Sequence, residues 1–336
     1  MLKLLAREGV LRRIVEAASA APSIHNTQPW RFVVAADDAL EVRADPGRAL
    51  RVADPRGRAM YLSCGAALYN IRVAIRMTGF NPIIWLLPHP QDPDSRDLLA
   101  IVQAEPGRPA SFAEREQYEA IWHRHTNRGP FTDEPLPESV RMMLEQAAGF
   151  EFATLRMLTE REAMAVLGLA EQASAELAGD AGHQAELQRW ITAGSRDDGI
   201  PVAALPPRPR REPAPVRAGD LTSAAPSEDR AASEFERLPH LAVLTTARDE
   251  PIDWLRAGQA LQRVLLVATA HGLSASFLYQ PVELRDMRGE GAPAWPWPGT
   301  TQIIIRFGYG GPTVVTPRRA AEDVLAARAG ASSGRG

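Results

Sequence analysis

The chain has 336 residues, enough for one large or two smaller domains, and its 24% charged and 45% hydrophobic content is typical of a globular protein. A formal net charge of −3 indicates no surface for polyanions, so nucleic acid is not expected as a partner. The single cysteine, Cys64, excludes an internal disulfide and a cysteine-rich metal site. This cysteine usage, charged residues near the N-terminus and the lack of an apolar run of about 18–20 residues predict a cytoplasmic protein without membrane contact.

Hydrophobic periodicity predicts an α+β chain in which groups of strands alternate with helices. Glycines end the two longest helical patterns, as expected at a helix C-cap. The predicted helices are 9–20, 57–78, 110–123, 137–147, 160–177, 181–192, 228–237, 252–271 and 318–327. The predicted strands are 31–35, 40–43, 83–87, 99–103, 155–158, 241–245, 276–279 and 301–307.

A polar segment, APSIHNTQPWRF, lies between the first predicted helix and the first predicted strand. Pro22 and Pro29 end both elements, because each removes a backbone donor and fixes φ. Ser23, Asn26 and Gln28 are therefore expected on a rigid turn, where a carboxamide can donate to and accept from a planar heteroaromatic ring. A structural loop in which Asn26 only caps its own backbone is an equal alternative.

Two arginines and a hydroxyl alternate at Arg124, Thr126 and Arg128. In an extended segment these side chains point the same way, which predicts an anion pocket suited to phosphate, since guanidinium can bind phosphate through two hydrogen bonds. An exposed basic loop is the alternative. Arg318 and Arg319, after the last predicted strand, add phosphate contacts or form a surface basic pair.

Residues 200–226 contain seven prolines and four arginines and show no core-facing period. A segment of this length without secondary structure is usually a lid, a binding loop or disordered. The glycine- and serine-rich residues 329–336 are expected to form a flexible tail.

The chain resembles itself at an offset of 193 residues, which pairs Gly65 with Gly258 and Pro88 with Pro281. A weaker match relates the helical patterns that begin near residues 11 and 140, at an offset of 129. The difference of 64 residues between these offsets predicts two related α+β halves, the second with an insertion. Chance similarity between amphipathic helices is the alternative.

Other kinds of site have little support. His123 and His125 are spaced like metal ligands, but no third ligand follows at a useful spacing, so no metal is expected. Cys64 lies in an apolar helical pattern and is expected to be buried and inert. The sequence contains neither a glycine-rich dinucleotide fingerprint after a strand nor the GxSxG pattern of a serine nucleophile.

Taken in order, PSIHNTQPW at 22–30, RHTNR at 124–128, residues 272–280 and PRR at 317–319 resemble the nitroreductase superfamily of FMN proteins. Members of that family usually carry the phosphate segment first and build each flavin site across a homodimer. The reversed order here resembles the Acg-type branch, in which one chain mimics the homodimer and a lid covers the flavin. The resemblance implies a nitroreductase-like α+β fold with a first half at 1–109, a second half at 110–328 and a lid insertion at about 195–226.

The resemblance also implies how the chain holds FMN. It assigns no catalytic side chain, because the flavin carries the chemistry. One FMN per chain is expected, since each half lacks a motif of the other, and a monomer would suffice for the site. The implied contacts are the turn (Pro22, Ser23, Ile24 through its backbone, and Asn26, with Gln28 bracing it), the phosphate groups (Arg124, Thr126, Arg318 and Arg319), Arg128 near the ring, and the other ring edge (Leu278, Tyr279 and Gln280).

The implied activity is that of an FMN oxidoreductase, which passes electrons from NAD(P)H to a nitroaromatic, a quinone or a similar small acceptor. An alternative is an FMN-binding or flavin-sequestering protein whose lid blocks the site and allows little turnover. A third possibility is an interaction protein with a vestigial pocket.

Overall fold

The computed structural model describes residues 4–35, 38–192, 194–210, 232–289 and 295–326. Two antiparallel sheets pack against helices, and each sheet contributes to a separate apolar core. The fold is therefore α+β, as the sequence predicts. The outer part of the predicted lid, 211–226, and the predicted flexible tail, 329–336, lie outside the described residues.

The elements follow the predicted order closely. The helices are α1 (Glu8–Ser19), α2 (Arg58–Met77), α3 (Phe112–His123), α4 (Glu138–Gly149), α5 (Glu160–Gly179), α6 (Ala181–Trp190), α7 (Pro251–Ala270), α8 (Gln280–Arg288) and α9 (Ala321–Val324). The strands are β1 (Trp30–Val34), β2 (Leu40–Ala44), β3 (Phe80–Leu86), β4 (Leu98–Pro106), β5 (Thr154–Met157), β6 (Ile191–Thr192), β7 (Ile200–Pro201), β8 (Arg208–Pro209), β9 (Ala232–Ser233), β10 (His240–Thr246), β11 (Ser274–Leu278), β12 (Thr300–Gly308) and β13 (Leu325–Ala326).

The two sheets have the same topology. The order β1–β2–β4–β3 in the first sheet corresponds to β5–β10–β12–β11 in the second, and all these pairs are antiparallel. In both sheets the second strand carries a register shift, after Val42 in β2 and after Leu244 in β10. The first sheet gains one further strand, because β13 pairs in parallel with β1, with Phe32 opposite Leu325.

The long helices α2 and α7 cross where the sequence repeat pairs Gly65 with Gly258. A Cβ atom on Gly65 would lie 2.3 Å from the backbone oxygen of Leu255, and one on Gly258 would lie 2.1 Å from that of Leu62. Leu62 packs in the core of the second sheet, whereas Leu255 packs in the core of the first. We call each sheet, with the core packed against it, the first and the second unit. Each helix thus contributes a leucine to the core of the other unit, and the close approach requires glycine at both positions.

The insertion lies between β5 and β10 and is anchored to the first unit. Glu186 of α6 is buried, and its carboxylate accepts hydrogen bonds from the backbone amides of Arg51, Val52 and Ala53 at 2.7–3.3 Å. Arg48 binds Asp198 at 2.8 Å. The described part of the insertion is therefore packed against the first unit.

Two helix predictions are wrong in part, and one helix was missed. Ala232 and Ser233, within the helix predicted at 228–237, pair instead as β9 with β8, and residues 228–231 lie outside the described part of the chain. The helix predicted at 318–327 is limited to the one turn of α9, because β13 follows at once. The missed helix α8 begins immediately after β11, and Pro281 lies in its first turn, where a missing amide hydrogen costs nothing.

In the part of the chain that the structure describes, no helix is both long and apolar enough to cross a membrane. Cys64 is buried in α2, and its thiol donates a hydrogen bond to the carbonyl of Pro29 at 3.3 Å. Burial raises the pKa of this thiol, which favours the unreactive protonated form. The predicted burial of Cys64 is thus confirmed.

Candidate functional site

The turn between α1 and β1 has an unusual backbone. His25, Asn26 and Gln28 have φ values of 46°, 55° and 49°, in the left-handed region that residues other than glycine rarely adopt. Strain of this kind costs about 1–3 kcal/mol per residue and persists only where neighbouring structure fixes it, often at functional sites. The contacts that fix this turn therefore indicate what surrounds the site.

Asn26 connects the turn to two distant segments. Its side-chain amide donates to the carbonyls of Gly199, at 2.9 Å, and Pro317, at 3.0 Å, while its Oδ1 accepts from Arg318 at 2.9 Å. The backbone amide of Gly199 donates in return to the carbonyl of Asn26 at 3.2 Å. Both amide hydrogens of Asn26 are thus used within the protein, which leaves only acceptor capacity on Oδ1 for a ligand.

Gln28 connects the turn to the insertion and to the segment that carries Arg319. Its side-chain amide donates to the carbonyl of Asp197 at 2.8 Å, and its Oε1 accepts from the backbone amide of Arg319 at 2.8 Å. Its own backbone amide donates to Ser23 Oγ at 2.9 Å. The backbone amide of Ile24, predicted to contact the flavin, instead donates to a hydroxyl oxygen of α2, Ser63 Oγ, at 3.2 Å.

Two arginines meet at the C-terminal end of α1, and the charge of a third, Arg128, acts on one of them, Arg318. Arg124 and Arg318 both donate to the carbonyl of Ala20, the C-cap residue, at 3.1 and 3.5 Å. Arg124 is buried, and Arg128 and Arg318 are partly buried. Arg124 Nε, Arg128 Nη1 and Arg318 Nε have no hydrogen-bond partner, and no ion pair joins these arginines to a carboxylate of the described residues. We call Arg124, Arg128 and Arg318 the arginine cluster.

The arginine cluster is electrostatically unfavourable without an anion. Burial, together with the charge of Arg318, lowers the pKa of Arg124 to about 9. Burial also lowers the pKa values of Arg128 and Arg318 to about 10, and for Arg318 the charge of Arg128 adds to the effect. Since buried cations normally pair with anions, this arrangement is suited to a multiply charged anion such as phosphate.

The segment that carries Arg124 and Arg128 is held against the second sheet. Thr126 pairs with Ala275 of β11 in a parallel bridge. Just beyond Arg128, the carbonyl of Gly129 accepts two hydrogen bonds from the guanidinium of Arg306, each at 3.1 Å. Arg306 is fully buried and forms an ion pair with Glu236. Arg306 thus fixes the end of the segment and has a carboxylate partner, unlike the arginine cluster.

Leu278, Tyr279 and Gln280, predicted at the other edge of the flavin ring, lie in environments that differ from one another. Leu278 packs in an apolar cluster with Val243 and Ile304. Tyr279 packs in a second apolar cluster with Ile24 of the turn and Trp190 of the insertion. Gln280 begins α8, and its Oε1 is buried without a partner in the described structure. Tyr279 therefore joins the second unit to the turn, and Gln280 offers a free acceptor.

A metal is not indicated at His125. No group of three potential His, Cys, Asp or Glu ligands occurs among the residues that the structure describes. Burial and the charges of Arg124 and Arg318 lower the pKa of His125 to about 4, so the imidazole is neutral near pH 7.

The chain is similar in sequence to known proteins over most of its length. A model of the nitroreductase family matches residues 7–60, which include the strained turn. The Rv3131 protein of Mycobacterium tuberculosis (strain ATCC 25618 / H37Rv), named as a candidate NAD(P)H nitroreductase, is 31% identical over 326 residues, which cover 94% of this chain and 90% of that protein. The chain belongs to the nitroreductase family.

Other nitroreductases are more distant. The acg protein of the same organism, also named as a candidate NAD(P)H nitroreductase, is 29% identical over 95% of this chain and 96% of its own length. The solved structure of the FMN-dependent nitroreductase NfnB from Mycobacterium smegmatis, in complex with NADPH, has a TM-score of 0.36 and 15% identity, over 62% of this chain and 96% of that one. The family assignment rests on the sequence relatives.

The predicted site residues of this nitroreductase differ in the groups that they contact. Asn26 of the turn binds Arg318 directly, although almost 300 residues separate the two in the chain. Arg319 differs from the arginine cluster because a carboxylate, that of Asp45, lies 4.0 Å from its guanidinium, which also donates to the carbonyl of Asp323 at 2.8 Å. Arg319 thus holds the turn through its backbone amide and has a carboxylate near its guanidinium.

Several residues at the site were not identified from the sequence. Asp197 and Gly199 line the turn, but only their place in the insertion was recognised. Glu283, His183 and His25 form a buried polar cluster beside the turn. His25 belongs to the turn motif, so its position was available from the sequence. The other two are single polar residues in helical patterns, which carry no local signal of a shared site.

Proposed function

We propose that this nitroreductase binds one FMN per chain and acts as an NAD(P)H-dependent oxidoreductase on small acceptors such as nitroaromatics or quinones. The observation that carries the proposal is the arginine cluster, whose three guanidinium groups act on one another through their charges and have no carboxylate partner in the described structure. A phosphate dianion would neutralise most of this charge and satisfy the free guanidinium hydrogens. The FMN and NAD(P)H named for its relatives are consistent with this proposal.

The residues present fit FMN, with defined parts for each segment. Arg124 and Arg318 would hold the phosphate, assisted by the hydroxyl of Thr126, and Arg128 would lie toward the ring. The turn would form one wall through Ser23 and Asn26 Oδ1. Bound FMN would supply the two-electron chemistry, while the protein positions the reactants and excludes water. We also propose that a monomer suffices to form the flavin site and that the protein is cytoplasmic.

We also propose that the chain arose by duplication, with related halves at 1–109 and 110–328. The equal strand order of the two sheets and the crossing of Gly65 and Gly258 support this proposal. In the second half, Phe150–Ala153 stands in the place of the turn, and the carboxylate of its Glu151 is neutralised by Arg72 and Arg263. One flavin site per chain follows from this difference.

The proposal is tested by flavin content. Purified protein saturated with FMN, then desalted and denatured, should release about one FMN per chain, measured by flavin absorbance against protein concentration. Riboflavin, which lacks the phosphate, should bind about 100-fold more weakly, because about 2.7 kcal/mol of charge-assisted hydrogen bonding is lost. Release of two flavins or none, or equal affinity for riboflavin, would contradict the proposal.

A second function, flavin sequestration beneath a closed insertion, is favoured by one observation. Asp197 and Gly199 are bound directly to the turn at Gln28 and Asn26, so this part of the insertion closes one side of the site. We include the rest of the predicted lid, to residue 226, in this alternative. If the lid blocks access, removing its outer part should raise turnover.

Residues 211–231 can be replaced by a short glycine linker with little disturbance to their flanks, because the Arg210 amide already lies 2.8 Å from the Ser233 carbonyl. If the protein sequesters flavin, this deletion should raise NAD(P)H oxidation, assayed with a quinone, at least about 10-fold over the full-length chain. If the protein is an open oxidoreductase, the rate should stay within about 2-fold. FMN content of both proteins is the control.

A further inference from the structure

A buried carboxylate lies between two histidines beside the strained turn. Glu283 of α8 is 2% exposed, and its Oε1 lies 3.0 Å from Nε2 of His183 and 3.7 Å from Nε2 of His25. His183 belongs to α6 of the insertion, and His25 is one of the three turn residues with positive φ. Three separate segments thus meet at one carboxylate oxygen. We call these residues the histidine–glutamate cluster.

The histidine–glutamate cluster favours an ionised glutamate. Burial alone would raise the pKa of Glu283, but the hydrogen bonds and charges of His183 and His25 outweigh it and lower this pKa to about 2. A carboxylate buried to this degree needs a compensating positive charge, and the two imidazoles are the groups in direct contact with it. A proton on one of these imidazoles would supply that charge.

Among the described residues, the other ionisable groups near Glu283 do not supply the positive charge that its carboxylate needs. Burial raises the pKa of the phenol of Tyr279, which precedes α8, and the charge of Glu283 raises it further, so the phenol stays neutral. The charges of Arg58 and Arg128 act in the opposite sense and lower this pKa. Arg58 has its own partner, Asp286, at 2.6 Å. The second oxygen of the cluster carboxylate, Glu283 Oε2, has no partner among the described residues.

We propose that His25, held by Glu283 and backed by His183, donates the proton that an oxygen-bearing acceptor takes up during reduction. This inference rests on the proposed oxidoreductase function and names the acid for that site. His25 belongs to the turn that we propose as one wall of the site, and its side chain is only 9% exposed, so bulk water has limited access to it. Glu283 is a positioning residue, because it acts through His25.

The chemistry balances with the reactants already named. Reduction of a quinone carbonyl needs two electrons and two protons in all, and a hydride equivalent from NAD(P)H supplies both electrons and one of the protons. The second proton leaves an imidazolium of the cluster, so that a nitrogen–hydrogen bond breaks and an oxygen–hydrogen bond forms on the acceptor. The imidazole is left neutral and regains its proton from water before the next turnover.

Two acceptors separate proton donation from electron transfer. Quinone reduction consumes a proton, whereas ferricyanide takes one electron and no proton. Glu283→Gln keeps the size of the side chain and removes the charge that retains the proton. We expect quinone reduction at pH 7.5 to fall about 10-fold or more and to recover as the pH is lowered, because solvent protons then replace the lost one. Ferricyanide reduction and FMN content should stay within about 2-fold.

Glu151→Gln is the matched control, since Glu151 is also buried and ion-paired but lies in the second unit away from the turn. It should leave both rates unchanged. Equal loss of both activities in Glu283→Gln, or a quinone rate that does not recover at low pH, would assign a structural role and overturn proton donation. Absence of ferricyanide reduction in the wild-type protein with FMN bound would overturn the proposed function itself.

A measurement without turnover tests the stored proton directly. In FMN-free protein labelled with ¹⁵N-histidine, nuclear magnetic resonance at pH 7.5 should detect an imidazolium that is present in wild type and Glu151→Gln but lost in Glu283→Gln. Neutral imidazoles at both His25 and His183 in the wild-type protein would overturn the inference.

Discussion

Gly65→Ala should destabilise the folded chain by about 3 kcal/mol or more, a large part of the 5–15 kcal/mol that stabilises a typical domain. The added Cβ atom would lie 2.3 Å from the backbone oxygen of Leu255, and a backbone atom within a helix cannot rotate away as a side chain can. The helices α2 and α7 would have to separate, which would open the packing of Leu62 and Leu255 in both cores.

Urea unfolding followed by circular dichroism measures this loss. Gly168→Ala is the control, because Gly168 lies in the middle of α5 and no atom lies within 4 Å of the position that an added methyl group would occupy. Its replacement should raise the free energy of unfolding by about 1 kcal/mol, the ordinary gain of alanine over glycine in a helix. Similar unfolding midpoints for Gly65→Ala and wild type would show that the helices do not cross as closely as described.

Arg124→Met should have opposite effects on the FMN-free and FMN-bound protein. In the free protein it removes a buried cation that repels Arg318 and has no carboxylate partner in the described structure, so stability should rise by about 1–3 kcal/mol. With FMN present, the lost phosphate contact should weaken binding about 100-fold. The stabilisation that FMN gives by binding only the folded state should fall accordingly.

Thermal unfolding with and without FMN, combined with a fluorescence titration of FMN, measures both effects. Arg319→Met is the control, because Arg319 binds the carbonyl of Asp323 and approaches Asp45. We expect this control to destabilise the free protein and to reduce FMN affinity less than Arg124→Met does. Destabilisation of the free protein by Arg124→Met, with unchanged FMN affinity, would mean that Arg124 is a structural residue.

Much of the fold could be predicted because its long elements have strong periodic patterns. All eight predicted strands correspond to strands of the two main sheets, with ends that differ by a few residues. The failures have physical causes. β13 and β9 are two-residue strands defined by their pairing partners, and a two-residue segment has no period to detect. The start of α8 directly after β11 left no turn signal between them.

The candidate site was predicted less completely than the fold, for a different reason. Motifs could relate the turn to Arg124 and Arg318, since each motif is local and has its own residue types. No motif could indicate that Asn26 uses its amide on Gly199, or that Arg319 differs from its neighbour Arg318. These properties depend on which segment of the insertion packs against the turn, and this is decided only by tertiary structure.

The parallel pairing of β13 with β1 affects the order in which the protein assembles during synthesis. Leu325 and Ala326 form an edge strand of a sheet whose other strands come from residues 30–106. Near this strand, Arg12 and Glu322 also meet, at 2.9 Å. An emerging chain therefore leaves the β1 edge unpaired until Leu325 and Ala326 have left the ribosome, and during this interval the edge is open to pairing with other chains.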